Sequence, residues 1–238
     1  MEFTKQFRND LVIMNEALKN KEKFAFSKYA DAEIGILLNK NIRSIDNWVY
    51  EPNQNDKIKN LLMESINHSD DGYYVGISCP CCDMESYNWY KENVKINESN
   101  ITFANIFVNT NYEYFVNEML PTFNTFENIY LIANQNSNLT EIKTVLNYTK
   151  FFGVTANAIE NDLGLIDQLI EEINTNKIEN TLFLFCCGPL GKVLSYKLWE
   201  NNKNNTYIDI GSTLNRWTCL NLRDYQLNGM YSNRTCVF

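Results

Sequence analysis

Histidine is almost absent from this sequence, with His68 as the single example in 238 residues. Nucleophilic hydrolysis by a Ser-His or Cys-His pair would have to use this residue. No motif connects a serine or Cys79 to His68. The sequence therefore argues against a histidine-dependent hydrolase.

Long apolar runs and an excess of basic residues are also missing. No segment approaches the ~20 apolar residues that cross a bilayer, and the polar start Met1–Lys5 does not resemble a signal peptide. Lysine and arginine total 21 against 29 acidic residues, a net charge of -8. We expect a cytoplasmic protein with no transmembrane segment and no nucleic-acid partner. A nucleotide ligand remains compatible, because a few local donors and a cation can hold a diphosphate.

The seven cysteines are odd in number and partly adjacent, which suits a reducing compartment better than a disulfide framework. Cys79-Pro80-Cys81-Cys82 suggests zinc but lacks a second paired cluster at ligand spacing. Cys186-Cys187 would have to supply that pair through a contact that the sequence does not reveal. We therefore interpret these cysteines as buried structural thiols.

Predicted strands alternate with predicted helices along the chain. The strands are 23–27, 73–77, 128–132, 151–154, 181–185 and 206–210, and the helices are 4–20, 56–67, 84–94, 111–119, 139–148, 161–173 and 189–200. This alternation predicts an α/β fold, with a doubly wound, Rossmann-like, mostly parallel sheet flanked by helices. We expect one domain over 1–238, with a helix at about 4–20, a tail at about 216–238 packed on the body, and possible homo-oligomers.

An acidic pair follows the first predicted strand. Asp31 and Glu33 lie two residues apart on a predicted turn, close enough to share a hard cation such as Mg²⁺ or Mn²⁺. The alternative is a favourable charge pattern at a helix N-terminus. The spacing alone leaves both interpretations open.

A glycine-rich turn follows the strand 181–185. Gly188, Pro189 and Gly191 would allow a phosphate close to the backbone at a helix N-terminus, with Lys192 as a point charge. The turn matches neither a Walker loop nor a GxGxxG fingerprint. A helix start that packs closely on the sheet is the alternative.

Two segments together resemble the GT-D-type glycosyltransferases. Ser27-Lys28-Tyr29-Ala30-Asp31-Ala32-Glu33 is similar to that family's Arg-Phe-Gly-Asp-Gly-Glu motif, with Lys28 in the place of arginine. The segment 187–196, followed by Tyr207-Ile208-Asp209-Ile210-Gly211, is similar to its C-terminal nucleotide-side block. The two blocks occur in the family's order, and the resemblance covers about residues 23 to 217.

The resemblance implies a glycosyltransferase that moves a sugar from a nucleoside-diphosphate donor, such as a UDP-sugar, to a glycan or another hydroxyl acceptor. It implies a divalent metal, Mn²⁺ or Mg²⁺, on Asp31 and Glu33, which with Asp209 form the expected catalytic set. The residues implied for donor binding are Lys28, Tyr29, Gly188, Pro189, Gly191, Lys192 and Gly211.

Several points stay open at the level of the sequence. The acceptor's general base would be a carboxylate, and the candidates are Asp83, Glu85, Glu113 and Asp209. A non-catalytic nucleotide- or glycan-binding module of the same fold is one alternative function. A Rossmann-like methyltransferase or oxidoreductase is another, but it predicts a glycine fingerprint after the first strand, and 29–33 contains no glycine.

Overall fold

The computed structural model describes residues 1–52, 56–227 and 236, with the side chains of Asp31 and Asp56 excepted. Its strands are β1 (Ala25–Lys28), β2 (Ile42–Arg43), β3 (Val49–Tyr50), β4 (Tyr73–Ile77), β5 (Ile101–Phe103), β6 (Ile129–Asn134), β7 (Lys150–Val154), β8 (Leu182–Cys186) and β9 (Thr206–Asp209). Seven strands form one sheet in the order β5-β4-β1-β9-β8-β6-β7. Neighbouring strands of this sheet are all parallel, which confirms the predicted fold class.

Helices flank both faces of the sheet. They are α1 (Phe7–Lys19), α2 (Asp31–Leu37), α3 (Asp56–Ile66), α4 (Met84–Asn93), α5 (Tyr112–Tyr114), α6 (Leu120–Phe123), α7 (Leu139–Lys143), α8 (Ala158–Asn161), α9 (Leu165–Asn176), α10 (Pro189–Asn201), α11 (Asn215–Thr218) and α12 (Asp224–Leu227). None of the helices in the described ranges is both long and apolar enough to cross a membrane.

The central strands are apolar on both faces because helices cover both sides. Along β8, the side chains of Leu182 through Phe185 are all fully buried. Phe183 and Phe185 pack into the cluster that includes Leu194 of α10, whereas Leu182 and Leu184 pack into the opposite cluster with Met14 of α1. This arrangement explains why the segment reads as a continuous apolar run rather than as an alternating one.

The helix α10 lies unusually close to the sheet. A Cβ on Gly191 would stand 3.1 Å from the Cβ of Phe185 and 3.4 Å from Oδ1 of Asp209. Ser195 hydroxyl donates to the carbonyls of Gly191, at 2.9 Å, and of Phe26, at 3.3 Å. For Gly191, the structure therefore agrees with the second interpretation of the glycine-rich turn, a helix start that packs closely on the sheet.

Some sequence predictions differ from the structure at element boundaries. The helix predicted at 139–148 ends at Lys143, and the one predicted at 161–173 begins at Leu165 and continues to Asn176. The segment 115–119 forms a π turn between α5 and α6. The hairpin β2–β3 was not predicted, because strands of two residues carry no readable periodicity.

The strand order reverses beside β1. The chain continues from β1 to β4 and β5 on one side of it, whereas β6 to β9 occupy the other side. The carboxyl ends of β1, β9 and β8 therefore meet next to this switch point, where open α/β sheets form their ligand crevices. The described part of the C-terminal tail packs on the body of the domain. The ring of Tyr225 contacts that of Tyr112 edge-on at 4.9 Å, and the Gln226 amide donates to the carbonyl of Ser212. The predicted tail residues 228–235, 237 and 238 lie outside the described part.

Candidate active site

A cleft of about 1090 Å³ opens at the carboxyl ends of these strands. Its walls come from the turns after β1, β4, β8 and β9 and from the β2–β3 hairpin. Residues from these turns include Lys28, Glu33, Asp83, Gly188, Lys192 and Gly211. The volume matches the size of sites that enclose a drug-sized or cofactor-sized ligand.

A buried ion triad lies at the base of the cleft, where two of its members, Glu33 and Lys192, belong to the lining. Lys192 Nζ stands 2.9 Å from Oε1 of Glu33 and 3.0 Å from Oδ2 of Asp209. It also donates to the carbonyl of Gly188 at 3.1 Å. All three charged side chains are at least nine-tenths buried. Lysine in this position neutralises two carboxylates that would be costly to bury alone.

The pKa shifts of Glu33 and Lys192 follow from this pairing. Burial raises the pKa of Glu33, but the charge and hydrogen bond of Lys192 and the Ala30 N–H lower it, and the net shift is downward. Burial lowers the pKa of Lys192, but Asp209 and Glu33 outweigh it and the net shift is upward. Both shifts favour the charged forms of Glu33 and Lys192.

A second lysine, Lys28, stands at the rim of the same cleft. Its Nζ lies over Gly211, so close that a Cβ on Gly211 would meet it at 2.7 Å. Gly211 has φ +56°, a conformation that glycine adopts without strain. Burial lowers the pKa of Lys28, and Asp209 partly offsets that effect. Unlike Lys192, Lys28 has no ion pair within 4 Å among the described side chains.

Asp209 links the two lysines without lining the cleft. Besides its ion pair with Lys192, its carboxylate accepts from the backbone N–H of Gly211 at 3.0 Å and of Lys28 at 3.3 Å. It is fully buried. Its contacts are those of a residue that fixes the ends of β1 and β9 together.

The turn after β8 presents the N-terminus of α10 to the cleft. Gly188 has φ +59° and ψ -140°, and Pro189 occupies the first helical position. Gly188 lies on the cleft wall, near Trp48 of the hairpin. Pro189 and Gly191 are buried behind it. The helix begins here, and the partial positive charge of a helix N-terminus favours an anion. Pro189 has no N–H and the Gly191 N–H donates to the carbonyl of Gly188 at 3.1 Å, so these two positions offer no free amide.

Three of the remaining predicted residues, Tyr29, Glu85 and Glu113, lie outside the cleft lining. Tyr29 is fully buried, and its hydroxyl hydrogen-bonds Oγ of Ser65 at 2.5 Å. Among the candidate bases, Glu85 and Glu113 are exposed and lie outside the cleft lining. Asp83 lines the cleft, and its carboxylate also accepts from the N–H of Ser86 at the start of α4.

The described residues do not form a divalent-metal site of hard ligands by themselves. Both oxygens of Glu33 are engaged, one by Lys192 and the other by the Ala30 N–H at 3.0 Å. Among the described side chains, no group of three or more histidine, aspartate or glutamate ligands converges. The side chain of Asp31 lies outside the described part. The metal assignment to Asp31 and Glu33 thus stays a prediction, and the pairing of Glu33 weighs against it.

Two features of the cleft were missed by sequence reasoning. The β2–β3 hairpin places Trp48 over Gly188, and Arg223 enters the lining from the tail. Arg223 Nη2 pairs with Asp46, while its buried Nη1 has no hydrogen-bond partner among the described residues. A buried guanidinium nitrogen without a partner is an unsatisfied hydrogen-bond donor. No local motif marks either residue.

The cysteines also converge differently from the expectation. Cys79, Cys81 and Cys82 meet Cys236, whereas Cys186 and Cys187 belong to the end of β8 and do not join them. The seven cysteines are all thiols. The interpretation of Cys81 as buried was wrong, because this side chain is exposed at the turn.

Comparison with known proteins identifies the fold. No family model matches the chain, and no curated protein matches it. Solved structures do: one described as "A New Glycosyltransferase (DUF1792) from Streptococcus sanguinis" aligns with a TM-score of 0.58 and 13% identity, over 85% of this chain and 80% of that chain. Another, described as "The highly conserved domain of unknown function 1792 has a distinct glycosyltransferase fold", aligns with a TM-score of 0.57 and 15% identity, over 85% and 77%. The chain therefore has a glycosyltransferase-like α/β fold, as the motif resemblance predicted.

Proposed function

We propose that this protein is a glycosyltransferase that uses a nucleoside-diphosphate sugar. The observation that carries the proposal is the cleft at the switch point, where Lys28 at the end of β1 and the N-terminus of α10 after β8 stand on either side of β9. Cationic and amide donors at such a crevice suit a diphosphate. The fold shared with a described glycosyltransferase supports the same class.

Lys28, rather than Lys192, is the lysine that contacts the diphosphate in this proposal. Lys192 is held by two carboxylates, so its charge is already neutralised. Lys28 lines the cleft beside Gly211, whose lack of a side chain leaves room for the Lys28 ammonium group. Arg223, through its unpartnered Nη1, supplies a second donor. Gly188 and the amides of α10 supply backbone contacts.

Transfer breaks the bond between the sugar's anomeric carbon and the diphosphate oxygen, and forms a bond from that carbon to the acceptor oxygen. Lys28 and the α10 N-terminus stabilise the negative charge that grows on the departing diphosphate. The acceptor hydroxyl gives its proton to a carboxylate base. Asp83 is our choice of base, since it lines the cleft while Asp209 is fully buried against Lys192.

A panel of UDP- and GDP-sugars with glycan acceptors, with Mn²⁺ or Mg²⁺ added, tests the proposal. We expect release of the nucleoside diphosphate from at least one donor, faster with a suitable acceptor. Asp83→Asn should lower kcat by ~100-fold or more with little change in donor affinity. Glu85→Gln is the matched control on the same helix and should be near wild type.

The non-catalytic binding module remains the second candidate, because the Lys192 triad engages the glutamate of the family motif. It predicts that nucleotide sugars bind, raise the unfolding temperature and are not consumed. Binding without turnover across the full panel would contradict the enzyme proposal and support this candidate.

A further inference from the structure

Four thiols converge at the turn after β4, at the side of the cleft that Cys79 and Cys82 line. Cys79, Cys81 and Cys82 belong to the turn between β4 and α4, and Cys236 reaches them from 154 positions beyond Cys82. The four Sγ atoms all lie within 4.8 Å of one another. Each of the four cysteines therefore offers one sulfur atom to a common site.

The spacing of the sulfur atoms suits one tetrahedral metal ion. With Zn–S bonds of about 2.3 Å, the sulfurs of a four-cysteine site stand about 3.8 Å apart. Here Sγ of Cys82 lies 3.6 Å from Cys236 and 3.9 Å from Cys81, and Cys79 lies 3.0 Å from Cys81. An iron–sulfur cluster places several irons and sulfides between its cysteines and needs wider spacing.

The surroundings provide the hydrogen-bond donors that such a site requires. The amide Nδ2 of Asn105 lies 3.2 Å from Sγ of Cys79, 3.3 Å from Cys82 and 3.1 Å from Cys236. Asn109 adds a contact to Cys236 at 3.4 Å. Four thiolates around one divalent cation carry a net charge of about -2, and N–H donors to sulfur offset it.

Apolar side chains pack against the cysteine cluster. Cys79 and Cys236 are almost fully buried, in one cluster with Phe7 and Phe103. This shell shields two of the four sulfurs from solvent, while Cys81 is exposed at the turn. With four sulfurs and no vacant position, the arrangement matches structural zinc sites rather than catalytic ones.

We propose that Cys79, Cys81, Cys82 and Cys236 bind one structural Zn²⁺. On binding, each thiol loses its proton to solvent and each sulfur forms one bond to zinc, without any change of oxidation state. The ion fastens residue 236 to the turn that leads into Asp83 and α4. The site is distinct from the Asp31–Glu33 prediction in ligand chemistry, since sulfur selects zinc where carboxylates select Mg²⁺ or Mn²⁺.

Metal analysis of the full chain, purified under reducing conditions without chelator, tests the proposal. We expect about one zinc per chain in the wild type, retained after exchange into a weak chelator. Cys236→Ser should lose zinc to the same chelator, with affinity lowered at least tenfold. Cys219→Ser is the matched control, because this exposed cysteine lies outside the cluster, and it should keep its zinc.

Cobalt substitution of the wild type gives an answer even if Cys236→Ser does not fold. Loading with Co²⁺ should produce sulfur-to-cobalt charge-transfer bands and the intense visible absorption of a tetrahedral thiolate site. A wild type that takes up neither Zn²⁺ nor Co²⁺ would overturn the proposal. Equal zinc retention by Cys236→Ser would overturn it too, as would a metal-free chain whose mass shows a disulfide within the cluster.

Discussion

The two ends of the cleft differ in how their buried polar groups are paired. At the ends of β1, β9 and β8, Lys192 lies between Glu33 and Asp209, so positive and negative groups satisfy one another within the chain. At the turn after β4, four cysteine sulfurs lie close together beside amide donors. Among the described residues, no cationic side chain belongs to this cluster. The Lys192 triad is complete without a ligand, whereas the sulfur cluster has the composition of a site that an added cation completes.

The comparison separates two kinds of residue that a sequence motif treats alike. Lys192 and Lys28 both belong to the motif segments and both line the cleft. Lys192 has a raised pKa and two carboxylate partners, whereas Lys28 has a lowered pKa and no ion pair within 4 Å among the described side chains. We therefore assign support of the site to Lys192 and contact with the donor to Lys28.

Removal of Lys192 should have the largest effect on stability. Lys192→Met keeps the length of the side chain but leaves Glu33 and Asp209 buried without a counter-charge. We expect a loss of about 3–5 kcal/mol in the free energy of unfolding, measured by denaturant titration. Lys197→Met, on the partly exposed side of α10, should cost less than about 1 kcal/mol. Equal effects of the two substitutions would contradict the role of the triad.

Glu33→Gln sharpens the same comparison and tests the metal prediction directly. If Glu33 serves as the partner of Lys192, the substitution should lower the unfolding free energy by about 1.5–3 kcal/mol. If Glu33 is a metal ligand, the unfolding free energy should change little, and Mn²⁺-dependent donor binding should disappear. Denaturant titration and calorimetry on one preparation distinguish the two results.

The direction of the Glu33 pKa shift determines how the free energy of unfolding depends on pH. Because its folded pKa is lowered, Glu33 stabilises the fold above its unfolded pKa of about 4.3, and this contribution is lost as pH falls through the folded value. The difference in unfolding free energy between wild type and Glu33→Gln should therefore shrink in acid. A difference that stays constant from about pH 7 to pH 3 would contradict the assigned ion pair.

Gly188→Ala should have a smaller effect on stability. A Cβ at this position meets no atom closer than 3.6 Å, so the cost is backbone strain at φ +59° alone. We expect a loss of about 1–3 kcal/mol, the range for a residue held in a conformation that glycine alone adopts readily. Gly164→Ala is the control, since its φ is -62° and its Cβ would meet nothing within 4 Å. It should be neutral or slightly stabilising.

The sequence allowed prediction of the sheet and of the turns at its edge, for a physical reason. Continuous apolar strands such as 181–185 are recognisable locally, and parallel strands bring their carboxyl ends to one edge. The partners across that edge were not predictable. Lys192 meets Glu33 across 159 positions, and Cys236 meets Cys82 across 154. Such contacts depend on the packed fold, as do Trp48 and Arg223 at the cleft.

Calorimetric titration with inorganic pyrophosphate tests the central claim, that Lys28 forms part of a diphosphate site, most directly. The probe requires no knowledge of the sugar or the base. We predict that the wild type binds pyrophosphate and that Lys28→Ala weakens binding by about 10- to 100-fold, the loss of one charge-assisted contact. Lys197→Ala should bind as the wild type does. Unchanged affinity in a folded Lys28→Ala protein, or no binding by the wild type, would contradict the account.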